Sequence, residues 1–181
     1  MLKAVGHEKV QVLNGGLQQA KKVSFPMSTK IEIPEKAQEP YIVEHWELPI
    51  VDINEVDNIL HKPKYLIIDV REKSRFDGIS EPIDLIAGHI PGAINIPFSE
   101  NLDQNGLFNQ PEFLRNKYKT IIGDIESENI IVHCGSGVTA CHTLLALDYA
   151  GIKLPKLYVG SWSEWSRNNK MIEKTNSVTI E

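Results

Sequence analysis

Four short apolar runs rich in β-branched residues place the strongest constraint on how this chain can fold. They are YLIIDV at 65–70, AINIP at 93–97, NIIVHC at 129–134 and KLYVG at 156–160. Most of them are followed by turn residues and then by a stretch with helical periodicity. This alternation is typical of a parallel sheet whose strands are joined by crossover helices. The sequence therefore predicts an α/β fold, a parallel sheet flanked by helices.

The clearest of the predicted helices follows the third run, in TACHTLLALDYAG, and stops at Gly151 with Pro155 beyond it. Two stripes of small or apolar residues on this helix are candidates for the face that meets the sheet. One stripe is Ala140, Leu144, Leu147 and Ala150, and the other is Val138, Cys141 and Leu145. A strand thus leads through a short loop into the N-terminus of a helix. Because it falls on a candidate stripe, Cys141 is predicted to be a core residue.

Composition excludes several classes of protein. The chain has 181 residues, enough for one ordinary domain and an appendage, and 41% of them are apolar. A formal net charge of −5 gives no general attraction to nucleic acid or to anionic lipid. The N-terminus lacks the apolar core of a signal peptide, and no apolar run approaches the roughly 18 residues of a membrane-spanning helix. We therefore expect a soluble, cytoplasmic protein with neither nucleic acid nor membrane as a partner.

The two cysteines, Cys134 and Cys141, are predicted to remain thiols. Seven residues along a helix correspond to about 10 Å, beyond the roughly 7 Å Cα separation that a disulfide allows. A reducing compartment such as the cytoplasm would keep both reduced. No second histidine or carboxylate has metal-ligand spacing to His89, and neither a metal nor a cofactor is expected.

An internal similarity suggests how the N-terminal part of the chain is organised. Residues 6–19 and 151–165 both begin with a glycine, place a strand-like run before a second glycine, and continue into a predicted helix. On this basis residues 1–24 are the last strand and helix of a preceding copy of the domain, residues 25–40 are a linker, and residues 41–181 form the catalytic domain. The alternative is an ordinary N-terminal strand and helix of a single domain.

Cys134 is the candidate nucleophile because it lies where a strand ends and a helix begins. Backbone amides and the positive end of a helix dipole favour a thiolate at such a position. Gly135 and Gly137 allow the backbone to curl, so that the amides of residues 135–139 can form an anion-binding nest. Ser136 and Thr139 would add hydroxyl donors. The sequence therefore favours a reactive thiolate over a buried structural cysteine.

Two chemistries use such a loop, attack on phosphorus and attack on a sulfane sulfur. A phosphatase of the Cys-x5-Arg type needs an arginine six positions after the cysteine to bind phosphate oxygens. This chain has Ala140 at that position. A soft nucleophile in a loop lined by amides is better suited to accept a sulfur atom as a persulfide.

The residues that carry this chemistry resemble the rhodanese-type sulfurtransferases, in particular the C-terminal catalytic half of the two-domain enzymes. The loop CGSGVT at 134–139 is similar to that of the branch that uses 3-mercaptopyruvate, and DVREKSRF, GHIPGAINIP and LYVGSWSEW extend the resemblance over residues 65–166. It implies a rhodanese-like α/β fold, with residues 1–24 as a remnant of a first domain. The 3-mercaptopyruvate branch usually carries a second arginine in an EPR segment, where this chain reads EPI, with Ile83 in that place.

The resemblance also implies a role for particular residues. Cys134 matches the persulfide-forming nucleophile, Ser136 a serine that assists proton transfer, and Arg75 an arginine that holds the anionic group of the donor. The other loop positions, expected to contact substrate through the backbone, are Gly135, Gly137, Val138 and Thr139.

The positions of four further residues in the sequence suggest structural roles. Asp69 and Arg71 are expected to form an ion pair, and the ring of His89 is expected to bond to backbone. His133 is expected to be structural.

The expected partners are a small anionic sulfur donor, either 3-mercaptopyruvate or thiosulfate, and a thiol or cyanide acceptor. The alternative is a partner-dependent module that carries persulfide but turns over little donor by itself. Its partner would be a separate N-terminal rhodanese domain or a second copy in a homodimer. With the cleft completed only by such a partner, Cys134 is expected to be open to solvent in the chain alone.

Overall fold

The computed structural model describes residues 1–175, and its centre is a sheet of five parallel strands in the order β1-β5-β4-β2-β3. The strands are β1 (Ile50–Val51), β2 (Leu66–Asp69), β3 (Ile94–Asn95), β4 (Ile130–His133) and β5 (Lys156–Tyr158). The four predicted runs contain β2 to β5. The sequence analysis missed β1, whose two residues follow Pro49 and pair with Leu157 and Tyr158 at the edge of the sheet. The predicted parallel α/β fold is confirmed.

Helices flank both faces of this sheet. They are α1 (Gly16–Lys22), α2 (Ile53–Ile59), α3 (Lys73–Phe76), α4 (Pro111–Ile122), α5 (Val138–Tyr149) and α6 (Ser161–Trp165). Short 3-10 helices span Leu2–Val5, Phe98–Asn101 and Ser127–Asn129. Helix α2 begins at a capping box, in which the Asp52 carboxylate accepts the amide of Glu55 and the Glu55 side chain accepts the amide of Asp52. In the part of the chain that the structure describes, no helix is long and apolar enough to cross a membrane.

Two apolar clusters lie on opposite faces of the sheet, because successive strand residues point to opposite sides. One cluster contains Ile68, Val132 and Cys134 and packs against α4 and α5. The other contains Ile67 and Ile131 and packs against α6, whose Trp162 and Trp165 are fully buried. Cys134 and His133 therefore belong to different faces, and Cys134, the candidate nucleophile, lies on the side of α5.

Helix α5 uses the first of its two predicted stripes. Ala140, Leu147 and Ala150 are fully buried, whereas Val138 is 72% exposed. Cys141 is exposed as well, so its prediction as a core residue is wrong. At 100° per residue, a position next to the buried Ala140 turns away from the sheet, and Cys141 faces the N-terminal segment instead. Both cysteines are free thiols, as predicted.

The N-terminal segment packs back on the rest of the chain. Lys3 Nζ lies 2.7 Å from Asp148 of α5, and the amide of Phe108 donates to the Asn14 side chain. The predicted helix is present as α1, but the predicted strand before it is absent, since the residues from 6 to 13 pair with no strand. A strand needs a neighbour for its backbone hydrogen bonds, and within residues 1–175 no strand of the sheet pairs with this segment. Residues 25–40 contain neither helix nor strand and are all exposed.

Candidate active site

Cys134 directly follows β4, which lies between β5 and β2 in the sheet. In a parallel sheet the carboxyl ends of all strands meet at one edge, so three segments converge there. The segment after β2 carries Asp69 and Arg71, and the segment after β5 leads into α6. The amide of Val70 donates to the carbonyl of His133, which fixes the end of β2 against the end of β4.

The loop from Cys134 to α5 requires glycine at position 137. Gly137 has a φ of 81°, and a Cβ on it would lie 2.9 Å from the carbonyl oxygen of Val159. A Cβ on Gly135 would lie 3.4 Å from Nη2 of Arg75. Gly137 therefore permits the left-handed turn into α5, whereas a Cβ on Gly135 would make only ordinary contact with the guanidinium that lies against the loop.

The amide groups of this loop are not used by the fold. Within residues 1–175 none of the six amides from Gly135 to Ala140 donates a hydrogen bond to another protein group, and the first amide of α5 that does is that of Cys141, to the Gly137 carbonyl. Six free donors in a row at a helix N-terminus form an environment suited to an anion. Such an array can stabilise a thiolate, a persulfide or the anionic group of a substrate.

Helix α6 holds the carbonyl side of the same loop. The amide of Trp162 donates to the Cys134 carbonyl at 3.0 Å, and that of Ser163 donates to the Gly135 carbonyl at 2.8 Å. The hydroxyl of Ser161 accepts from the Cys134 amide and donates to the Tyr158 carbonyl. Because both carbonyls are held from outside, the free amides that follow are kept in one arrangement.

Cys134 is only 2% exposed, so the expectation of an open cysteine is wrong for this chain. The end of a central strand is shielded on both sides by its neighbours, and the side chain joins the apolar cluster that packs on α5. Ser136 and Val138 lie on the surface, whereas Gly135 and Thr139 are half-buried. Cys134 is thus much less exposed than Ser136 and Val138 of the loop that follows it.

Beside the loop lies an ion-pair cluster that consists of Asp69, Arg71, Arg75, Glu81, Asp84 and Arg167. Arg71 is fully buried, as its ion pair with Asp69 predicts: its Nη2 lies 2.6 Å from Asp69 Oδ2 and donates to the Gly88 carbonyl. The Arg71 guanidinium also lies 4.5 Å from the ring of Trp162, the residue that holds the Cys134 carbonyl. The ion pair predicted between Asp69 and Arg71 is confirmed.

Arg75 extends from α3 towards Gly135 and makes two ion pairs. Its Nη2 lies 2.7 Å from Glu81 and 3.3 Å from Asp84, and its Nε contacts both oxygens of Glu81. Nη1 has no hydrogen-bond partner among the described residues and lies 3.5 Å from the position of a Gly135 Cβ. Arg75 therefore presents one free donor to the loop.

The histidines have the structural places that were predicted. His89 is buried, stacks on Phe76 and contacts the Phe76 carbonyl through Nδ1 at 2.8 Å. His133 is fully buried on the face opposite Cys134, and burial lowers its pKa. Among residues 1–175 there is no group of three or more side chains suited to hold a metal ion.

The sequence analysis missed the residues that support the loop from outside. Ser161 adopts a φ of 53°, unusual for a residue with a side chain, and this positive φ could not be read from the sequence. Asp84 is buried and accepts from Ser163 Oγ at 2.7 Å and from Arg167 at 3.1 Å. Ile83, at the place of the second arginine, is 71% exposed and contributes no charge.

These features define a class of α/β protein, one with a buried cysteine in an amide-lined loop at the carboxyl edge of a parallel sheet. The chain belongs to the rhodanese family: a profile of the rhodanese-like domain matches residues 52–168. This stretch contains all of the predicted site residues.

The relatives that the chain matches are named as sulfurtransferases. The chain is 44% identical over 116 residues to a probable 3-mercaptopyruvate sulfurtransferase of Pseudomonas aeruginosa, covering 64% of this chain and 41% of that protein. It is 37% identical to the human 3-mercaptopyruvate sulfurtransferase over 91% of this chain and 55% of the relative. A thiosulfate sulfurtransferase of Gallus gallus is 34% identical over 91% of this chain and 56% of its own length. The chain thus spans about half the length of the curated relatives it matches.

Proposed function

We propose that the chain is a sulfurtransferase whose nucleophile is Cys134. The observation that carries this proposal is the row of six unused amide donors that directly follows the cysteine. Together with the dipole of α5 they favour the anionic forms of the reaction, first the thiolate and then the persulfide. The relatives named as sulfurtransferases support the same reaction class.

In the first half of the reaction the Cys134 thiolate attacks the sulfur of the donor and forms an S–S bond. With thiosulfate, the S–S bond of the donor breaks and sulfite leaves with the electron pair. With 3-mercaptopyruvate, the C–S bond breaks and the electron pair passes to the enolate of pyruvate, which takes a proton. We assign the delivery of that proton to the hydroxyl of Ser136, which lies on the surface of the loop.

In the second half an acceptor thiol or cyanide attacks the outer sulfur of the persulfide, and Cys134 leaves as a thiolate. The backbone amides of Gly135, Gly137, Val138 and Thr139 bind the anionic group of the donor, and Nη1 of Arg75 adds a charged donor. A cytoplasmic location, where Cys134 stays reduced, suits this cycle.

We also infer that residues 1–24 correspond to the end of a preceding rhodanese-like unit, with residues 25–40 as the linker to the catalytic unit. The internal similarity of residues 6–19 to 151–165 supports this, and α1 lies where the similarity requires a helix. The exposed apolar side chains of Val12, Leu13 and Leu17 are those that such a unit would bury.

Turnover with thiosulfate and with 3-mercaptopyruvate, using cyanide as acceptor, tests the proposed activity. We expect Cys134→Ser to lower kcat by about 10³-fold or more with both donors, because a hydroxyl cannot carry the transferred sulfur. Cys141→Ser is the matched control, since it removes the other thiol, which lies on the helix that follows the Cys134 loop, and is expected to retain activity. Loss of activity in Cys141→Ser with retention in Cys134→Ser would overturn the assignment of the nucleophile.

A further inference from the structure

We propose that Glu81 is a specificity-determining residue: it cancels the charge of Arg75 and thereby favours singly charged sulfur donors over doubly charged ones. The inference rests on the proposed function, because it concerns the donor of the same reaction. It assigns the preference between 3-mercaptopyruvate, with one carboxylate, and thiosulfate, a dianion.

The contact between Glu81 and Arg75 is close and fixed. The Glu81 side chain is 3% exposed, and its Oε1 lies 2.7 Å from Nη2 of Arg75. The same oxygen accepts the amides of Ile83 and Asp84, which orient the carboxylate independently of Arg75. Burial opposes ionisation, but the hydrogen bonds from Arg75 and the two amides hold the pKa of Glu81 below its usual value. Glu81 is therefore a carboxylate at neutral pH.

The charges around Arg75 balance. The ion-pair cluster contains three guanidinium groups, those of Arg71, Arg75 and Arg167, and three carboxylates, those of Asp69, Glu81 and Asp84. The donor therefore meets backbone amides and the free Nη1 of Arg75, with its two N–H groups, but no net positive charge. Backbone amides bind an anion through partial charges only, while the cost of removing an ion from water rises with the square of its charge. Transfer from water into this site consequently costs a dianion more free energy than it costs a monoanion.

Glu81→Gln tests the proposal because it removes the charge and keeps a side-chain oxygen for the amides of Ile83 and Asp84. Coulomb energy is proportional to the charge of the donor, so the logarithm of the KM change for a dianion should be about twice that for a monoanion. If KM falls about threefold for 3-mercaptopyruvate, it should fall about tenfold for thiosulfate. The ratio of kcat/KM for the two donors therefore shifts towards thiosulfate.

Asp77→Asn is the matched control. Asp77 follows α3 directly, and its carboxylate pairs with the exposed Lys73 rather than with Arg75. The substitution removes the same charge close by and is expected to leave the ratio of the two donors unchanged. If the ratio of kcat/KM for the two donors shifted equally in both variants, the effect would come from the net charge alone. That result would overturn the specific role of Glu81.

The outcomes separate this inference from the proposed function. If the parent chain forms no persulfide with either donor, the proposed function fails. If the parent chain is active and Glu81→Gln changes both donors equally, or favours 3-mercaptopyruvate, the inference about Glu81 fails alone. A purely structural role would lower kcat/KM for both donors together and leave their ratio constant.

A second measurement uses the unaltered chain and so does not depend on how the variant folds. Pyruvate and sulfate are unreactive anions with one and two charges, and both can compete with the donor. We expect pyruvate to inhibit persulfide formation at lower concentration than sulfate. Stronger inhibition by sulfate would overturn the proposal.

Discussion

Gly137 shows how one residue controls the geometry of the site. It ends the loop that Cys134 begins, adopts a left-handed backbone, and approaches the Val159 carbonyl so closely that a Cβ would lie 2.9 Å from that oxygen. A side chain here would meet backbone, which cannot move aside as a flexible side chain can. The position of the free amides thus depends on the absence of a single carbon atom.

We expect Gly137→Ala to destabilise the fold by more than the roughly 1–2 kcal/mol that a left-handed conformation costs a residue with a Cβ. The loop should also shift, and persulfide formation should slow by about tenfold or more. Gly106→Ala is the control, because Gly106 has a φ of 75° and a Cβ added to it would meet no atom within 4 Å. Equal unfolding free energies for the two variants, with a normal rate in Gly137→Ala, would contradict this account.

At the scale of single residues, the sequence identified what lies within the loop and missed what reaches it from elsewhere. The glycine spacing after Cys134 is local information, and so is the absence of an arginine at Ala140. The supports of the loop are not local: Asp84 and Ser163, for example, are 79 residues apart. A short sequence motif cannot reveal such a contact, since it exists only once the sheet has brought the strand ends together.

Helix α5, which begins at the site, also carries a half-buried histidine, His142. His142 stacks on Phe108, with ring centroids 4.6 Å apart, and contacts Phe98 edge-on. Its Nδ1 is buried without a hydrogen-bond partner among the described residues. Burial therefore lowers the pKa of His142 from its ordinary value of 6.5. The neutral ring is the form that packs between α5 and the segment that carries the two phenylalanines.

This packing predicts a pH dependence of stability. Below about pH 6.5 the unfolded chain binds a proton at His142 that the folded chain does not yet bind, so the free energy of unfolding falls as the pH falls. Between about pH 7.5 and about pH 5, a range that spans the ordinary histidine pKa, we expect His142→Gln to lose less unfolding free energy than the parent chain does. Denaturant unfolding at the two pH values measures this. His45→Gln, at an exposed position, should behave like the parent chain.

At the scale of the whole molecule, the order of the central strands along the chain was predictable from the sequence. The edge strand β1, and the absence of a strand near Val12, were not. Strands β2 to β5 lie in apolar runs that are visible in the sequence, whereas β1 has two residues and forms because Pro49 and Ile50 meet the segment around Leu157. The strand predicted near Val12 does not form: a strand is stabilised by its neighbours, and within residues 1–175 none pairs with this segment. In both cases the pairing of segments in the folded chain, and not the local sequence, determines whether a strand forms.

The whole chain also determines how reactive Cys134 can be. Its side chain is 2% exposed, its carbonyl is held by α6, and the amides that follow it have no other partners among the described residues. The account predicts that this buried thiol, rather than the exposed Cys141, is the one that accepts sulfur. Exposure alone would predict the opposite.

The most direct test is to treat the full chain with thiosulfate or with 3-mercaptopyruvate in the absence of reductant and to locate any added sulfur by mass spectrometry. Fragmentation of the peptide that contains both cysteines distinguishes the two positions. We predict a gain of one sulfur atom on Cys134, reversed by cyanide, and no gain on Cys141. Sulfur on Cys141 alone, or on neither cysteine with both donors, would contradict the account.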